Sequence, residues 1–118
     1  VDYKAHSSNA KVETEPCLSN IYHHGYKMQM DIYVHILRNM DFKVSDIAYF
    51  YVCNGEKSYD KFDEKLNFTT TLVPYKTDTS WVDKQIIEMK KTLDSEKVPE
   101  INKSCEKCMY LSTGKDFI

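Results

Sequence analysis

Hydrophobic and polar positions alternate along this chain with periods that change from segment to segment, and the changes mark its elements. Residues 1–5, Val-Asp-Tyr-Lys-Ala, have the pattern of a short strand. The stretch from His6 to Asn20 is polar, with Ser7-Ser8-Asn9 and Glu13-Thr14-Glu15-Pro16, and predicts a long loop. A helix is expected over 26–40, starting from about Tyr22 or Tyr26 and ending at Met40. Gln29, Tyr33, Ile36, Leu37 and Met40 share one line on it. After a connector at 41–45, residues 46–53 form a nearly continuous apolar run, the pattern of a strand buried on both faces. Asn54-Gly55 predicts a turn. Leu66, Phe68, Thr70 and Leu72 then alternate with polar residues, so the next strand buries their face and stops at Pro74 and Tyr75. Asp78, Thr79 or Ser80 can cap a last helix over 80–94, whose apolar stripe is Val82, Ile86, Met89 and Leu93. A lysine-rich tail fills 95–118. The expected fold is α/β, a mixed sheet from 1–5 and the strands within 46–73, flanked by the helices at 26–40 and 80–94 in a single domain over 1–118.

Composition narrows this picture. A chain of 118 residues supports one core and is small for a complete enzyme. With 16 basic against 18 acidic residues, the formal net charge of −2 excludes a strongly basic coat for nucleic acid, though a locally positive cleft remains open to it. Lysine carries nearly all the positive charge. Arg38 is the only arginine, which favours phosphate contacts by lysines over bidentate reading of guanine. No apolar run approaches the roughly 20 residues of a membrane-crossing helix, and no signal-peptide pattern opens the chain. The expectation is a soluble, intracellular, cytoplasmic protein without a membrane partner. Four unevenly spaced cysteines, Cys17, Cys53, Cys105 and Cys108, fit a reducing compartment better than a disulfide scaffold.

The candidate chemistry begins with Asp2 and Lys4. Two positions apart on a strand, they share a face, so a carboxylate able to hold a divalent ion stands beside a cation able to steady a water or a developing phosphate charge. The same spacing also fits a solvated ion pair on a surface strand. Gln29 and Tyr33, four apart, share a helix face and add two polar groups, or are an ordinary helix face with a tyrosine hydroxyl at its edge. His23-His24 suggests a metal or phosphate contact, but adjacent histidines diverge on a helix, and His35 suits a structural or exposed place. Cys105-x-x-Cys108 is half of a tetrahedral zinc or cluster site.

Taken in order, Val1-Asp2-Tyr3-Lys4-Ala5, Tyr26-Lys27-Met28-Gln29-Met30-Asp31-Ile32-Tyr33, the run 47–52, a helix opening near Trp81 and Cys105-Glu106-Lys107-Cys108-Met109-Tyr110 resemble the PD-(D/E)xK nuclease superfamily. Within it they are similar to the RecB-like and Cas4-like exonuclease branch, with its acid-x-Lys strand, Gln-x-x-x-Tyr helix and Cys-x-x-Cys-x-Tyr tail. The resemblance implies a restriction-endonuclease-like fold and a hydrolase that cleaves DNA phosphodiesters with Mg²⁺ or Mn²⁺. Asp2 and the Tyr3 carbonyl would hold the metal, Lys4 would activate the water, and Gln29 and Tyr33 would position the substrate strand. Members of the family carry further acids on earlier elements, which would lie upstream of Val1. The chain is therefore expected to be the C-terminal part of a nuclease, inactive alone and completed by its missing N-terminal part or another subunit. The alternative is a nuclease-derived domain that binds nucleic acid or protein without cleaving. Cluster-bearing relatives have three cysteines near the C-terminus, and none follows Cys108, which argues against an iron–sulfur cluster or zinc at Cys105 and Cys108.

Overall fold

The computed structural model describes residues 1–58, 64–102 and 104–114. Residues 59–63 of the predicted strand region, and 103 and 115–118 of the predicted tail, lie outside the described residues. The elements in order are β1 (Asp2–His6), α1 (Thr14–Ser19), a single 3-10 turn (Ile21–His23), α2 (His24–Asn39), β2 (Ile47–Gly55), β3 (Phe68–Lys76), α3 (Val82–Asp94) and α4 (Glu106–Gly114). The chain is thus α/β, as its pattern predicts. It divides into two compact units, Val1–Val82 and Asp83–Ile118.

In the first unit the three strands form one mixed sheet in the order β1-β2-β3. β1 runs parallel to β2 with Asp2 opposite Phe50 and Lys4 opposite Val52. β3 runs antiparallel to β2 with Val73 opposite Phe50 and Tyr75 opposite Ala48. Because side chains alternate along each strand, this register puts Asp2, Lys4 and His6 on the same face as Phe50, Val52, Asn54, Val73 and Tyr75. That face holds the core, in which Phe50, Val52 and Val73 pack with Cys17 of α1 and Met30 of α2. Tyr26, Ala48 and Tyr75 border it.

Three sequence expectations change here. β2 is buried on one face only, since Phe50, Val52 and Asn54 are buried while Tyr49, Tyr51 and Cys53 are half-exposed. β3 extends through Pro74 and Tyr75 to Lys76 and buries the opposite face to the one predicted. Its apolar alternation, Phe68 and Leu72, is exposed, and the threonine-rich set ending in Val73 and Tyr75 turns inward. Pro74 is tolerated because β3 is an edge strand, with no neighbour beyond it in the sheet among the described residues. Asn54-Gly55 belongs to β2 rather than to a turn. The buried Asn54 side chain accepts from Ser8 N and donates to Ser8 O, both at 2.9 Å, and so pins the segment after β1. Gly55 leaves room for Phe68, whose ring would lie 3.3 Å from an added Cβ.

The predicted loop from His6 to Asn20 contains α1. Its six residues are too few to show a helical period, but Pro16 sits in the first turn, where its missing N–H is not needed. α2 buries Met30, Asp31 and Val34, with Tyr26 half-buried, so the core-facing line is shifted by one residue from the one expected. Tyr33, Ile36, Leu37 and Met40 on the predicted seam are exposed.

α2 ends with Phe42 N–H on Leu37 O at 3.1 Å and Asp41 N–H on Arg38 O at 3.0 Å, the double bond of a Schellman cap. Asp41 holds the left-handed position at φ 64°, where glycine carries no Cβ penalty. Asp41→Gly is expected to raise stability by roughly 0.5–1 kcal/mol. Chemical denaturation measures this, and a fall in stability would show that the Asp41 side chain contributes more than its backbone costs.

The buried Asp31 joins α2 to the segment after β3. Its carboxylate accepts from Tyr75 Oη at 3.1 Å, Asp78 N at 3.0 Å and Trp81 Nε1 at 3.1 Å. Burial, reinforced by the charge and hydrogen bond of Asp31 and the charge of Asp78, pushes the Tyr75 hydroxyl up to about 12. The fold therefore favours protonated Tyr75. Its contribution to stability is complete below an unfolded value of about 10 and is lost as pH rises towards 12. Stability measured by urea unfolding should fall across that window, and the fall should shrink in Tyr75→Phe.

The second unit contains α3 after its first residue, and α4. α3 carries Lys90–Asp94 and Lys91–Glu88 ion pairs at 2.5 and 2.9 Å. α4 lies in the predicted tail, where Asn102 Oδ1 accepts from Ser104 N at 3.0 Å to turn the chain before it.

Candidate functional site

β1 brings Asp2, Lys4 and His6 to the core face at the edge of the sheet, and α2 packs over them. The Lys4 ammonium lies at the centre. It donates to Gln29 Oε1 at 2.6 Å, pairs with Asp2 Oδ2 at 2.8 Å, and stands 4.3 Å from the centre of the Tyr26 ring. Gln29 Nε2 in turn donates to the Tyr33 hydroxyl at 2.6 Å. Asp2, Lys4, Gln29 and Tyr33 thus form one continuous polar line from β1 to α2. The Lys4 side chain is 13% exposed, which sets it apart from a solvated surface pair, since a cation at that depth needs the compensation that these three partners give.

A second line runs the other way from Lys4. Tyr26 stacks on His23 with centroids 5.0 Å apart and planes 13° apart, and His23 lies 4.6 Å from His6. Sequence spacing gave no sign of this aromatic row, because His6, His23 and Tyr26 come from three different elements. A cavity of about 500 Å³ opens beside it, with His6, Lys11, Cys17, Tyr22, His23 and Tyr26 in its wall. Burial lowers His6 below its ordinary value, helped by the charge of His23. His6 is thus held neutral more readily than a free histidine.

Cys17 and His23 do not form an activated nucleophile. His23 Nδ1 lies 2.9 Å from Cys17 O and 3.7 Å from Cys17 Sγ, so the carbonyl takes the shorter contact. Burial pushes the Cys17 thiol up, away from the reactive thiolate.

The remaining predicted residues are dispersed. For Tyr3 the expected metal contact is the backbone carbonyl; its side chain lies on the opposite sheet face, 74% exposed, with its ring 5.5 Å from that of Tyr51. His24 is exposed while His23 turns inward, so the adjacent pair diverges. His35 contacts Asn39 on the helix surface. Arg38 pairs with Asp46 at 2.6 Å and anchors the connector between α2 and β2. Cys17 faces the core and Cys53 the other side of the sheet, so these two do not share a site. Cys105 and Cys108 lie together at the start of α4.

Among the described residues Asp2 Oδ2 is buried and, apart from the Lys4 ion pair, takes no hydrogen bond, so it has the chemistry of a metal ligand with a lone pair to give. One carboxylate does not hold a hard divalent ion, which takes about six oxygen ligands. Among the described residues no three His, Cys, Asp or Glu side chains converge in a way that could hold a metal. These residues do not by themselves fit a resident Mg²⁺ or Mn²⁺. No helix among the described residues is long and apolar enough to cross a membrane. The chain matches no protein-family model, no curated protein and no solved structure.

Proposed function

We propose that this chain supplies the lysine side of a metal-dependent nuclease site that acts on DNA phosphodiesters, in the manner of the PD-(D/E)xK superfamily and its RecB-like and Cas4-like branch. The observation that carries the reading is the 2.6 Å bond from Lys4 to Gln29, with Asp2 and Tyr33 in line on either side. An acid-x-lysine pair and a Gln-x-x-x-Tyr pair, far apart in sequence, meet through their functional atoms. Lys4, held by a carboxylate, an amide oxygen and an aromatic face, is a fixed cation that can meet negative charge on a phosphate. Gln29 and Tyr33 offer hydrogen bonds to the strand beside it. Asp2 contributes one acid, and the others come from outside the described residues, whether from another part of the protein or a second subunit.

The second reading, binding without cleavage, is favoured by that single carboxylate. Fluorescence anisotropy with a labelled single-stranded DNA, at low salt and with Mn²⁺, tests the common element. Binding is expected to be weak, to fall with added salt, and to weaken about tenfold, or 1.4 kcal/mol, in Gln29→Ala. DNA affinity unchanged in Gln29→Ala and in Lys4→Met would remove the site from nucleic-acid recognition.

A further inference from the structure

Cys105 and Cys108 belong to neither line of the candidate site, yet their geometry is built. α4 is nine residues long and begins at Glu106, so Cys105 is its cap and Cys108 its third residue. A helix cap ordinarily offers a side-chain oxygen to the N–H two or three residues on. Here sulfur takes that place, as Cys105 Sγ accepts the Cys108 N–H at 3.2 Å. The bond places Cys108 one helical turn on from Cys105, so the two cysteines of the Cys-x-x-Cys spacing sit together at the start of α4. Both residues are half-buried and neither is in a disulfide.

We propose that Cys105 and Cys108 form a thiol–disulfide exchange site, with Cys105 as the attacking sulfur, Cys108 as the resolving one and a small-molecule disulfide as the oxidant. The Cys105 thiolate attacks one sulfur of the small disulfide, forming a mixed disulfide and releasing one thiolate. Cys108 then gives its proton to solvent and attacks Cys105 Sγ. The internal bond forms as the second small thiolate leaves, so two electrons pass from the pair of cysteines to the oxidant.

The surroundings favour this division of roles. The Cys108 N–H points at Cys105 Sγ, and hydrogen bonding from Cys108, first, and from the Lys107 backbone holds Cys105 below the ordinary thiol value, against burial and the charge of Glu106. The start of a helix adds positive potential at the same sulfur. Cys108 is raised above the ordinary thiol value, first by its interaction with Cys105 and then by burial, so it is the less reactive of the two sulfurs until the mixed disulfide forms.

The test is oxidation of the full chain by glutathione disulfide, followed by tryptic mapping without reductant. Trypsin cuts after Lys107, so an internal bond joins peptide 104–107 to peptide 108–115. That linked pair is expected as the main product and should disappear with dithiothreitol. Cys108→Ser should stall with glutathione on Cys105. Cys105→Ser, which keeps a good helix cap, should lose the link, and Cys105 should alkylate about tenfold faster than Cys108 at neutral pH. Glutathione on both cysteines without a link, first attack at Cys108, resistance to oxidation, or one equivalent of zinc held by the reduced chain and lost in Cys105→Ser would each overturn the proposal.

Discussion

Asp31→Ala should destabilise the first unit by about 3–5 kcal/mol, a large share of the roughly 5–15 kcal/mol that holds a domain of this size together. The substitution removes no large apolar surface. It leaves the Tyr75 hydroxyl, the Asp78 N–H and the Trp81 indole N–H without the acceptor that all three use. The last two donors have no alternative role as acceptors, so each carries its full desolvation cost. Asp31→Asn keeps one oxygen and should lose about half as much. Urea denaturation of both variants measures the effect. Equal midpoints for Asp31→Ala and the parent would mean that water replaces the carboxylate at no cost, and that the segment after β3 is held by the packing of Val82 instead.

Asp31 also shows where the sequence stops being informative. It lies inside the stretch 26–33 that carries the Gln-x-x-x-Tyr spacing, yet nothing in that spacing marks it, because its three partners stand 44 to 50 residues away. Local periodicity found both long helices and all three strands, since each is a repeated choice of side chain against one core. Choosing the buried face needed more. In β3 the apolar residues Phe68 and Leu72 alternate as a core face should, but Val73 and Tyr75 lie on the other one. Register decides the matter, as Val73 sits opposite Phe50 and Tyr75 opposite Ala48. In α2 the buried Asp31 rotates the core line away from the apolar seam.

The candidate site divides in the same way. Asp2 with Lys4, and Gln29 with Tyr33, were legible as two pairs because each shares a face at fixed spacing. That the pairs meet depends on α2 packing over β1, which the resemblance implies and no spacing contains. His6, Tyr26 and His23 were not seen as a group at all, since stacking of rings from a strand, a 3-10 turn and a helix leaves no period to find. α4 escaped for a different reason: its cap is a cysteine, and sulfur is not among the usual signals of a helix start.

Lys4→Met should have the largest effect on function. On the proposed nuclease reading, in an assembly that supplies the remaining acids, it is expected to lower DNA cleavage by about 10²–10³-fold, the scale of losing one preorganised group that meets charge in the transition state. Methionine keeps much of the apolar stem against Tyr26 and removes only the ammonium. Because the change strands the Asp2 carboxylate at a buried position, it is best read against Asp2→Asn/Lys4→Met, which relieves that charge and separates folding from catalysis. Lys4→Arg should not restore activity. A planar guanidinium presents its donors in a fork, and the Lys4 site is built around a compact ammonium reaching Gln29 and Asp2 at 2.6 and 2.8 Å. The chain by itself should leave labelled single- and double-stranded DNA intact in Mn²⁺, since Asp2 is one carboxylate where the chemistry needs more. Robust cleavage by the chain alone, abolished in Asp2→Ala, would place a second acid within this polypeptide and overturn the division of the site proposed here. Cleavage by the assembly at full rate with Lys4→Met would place the chemistry elsewhere altogether.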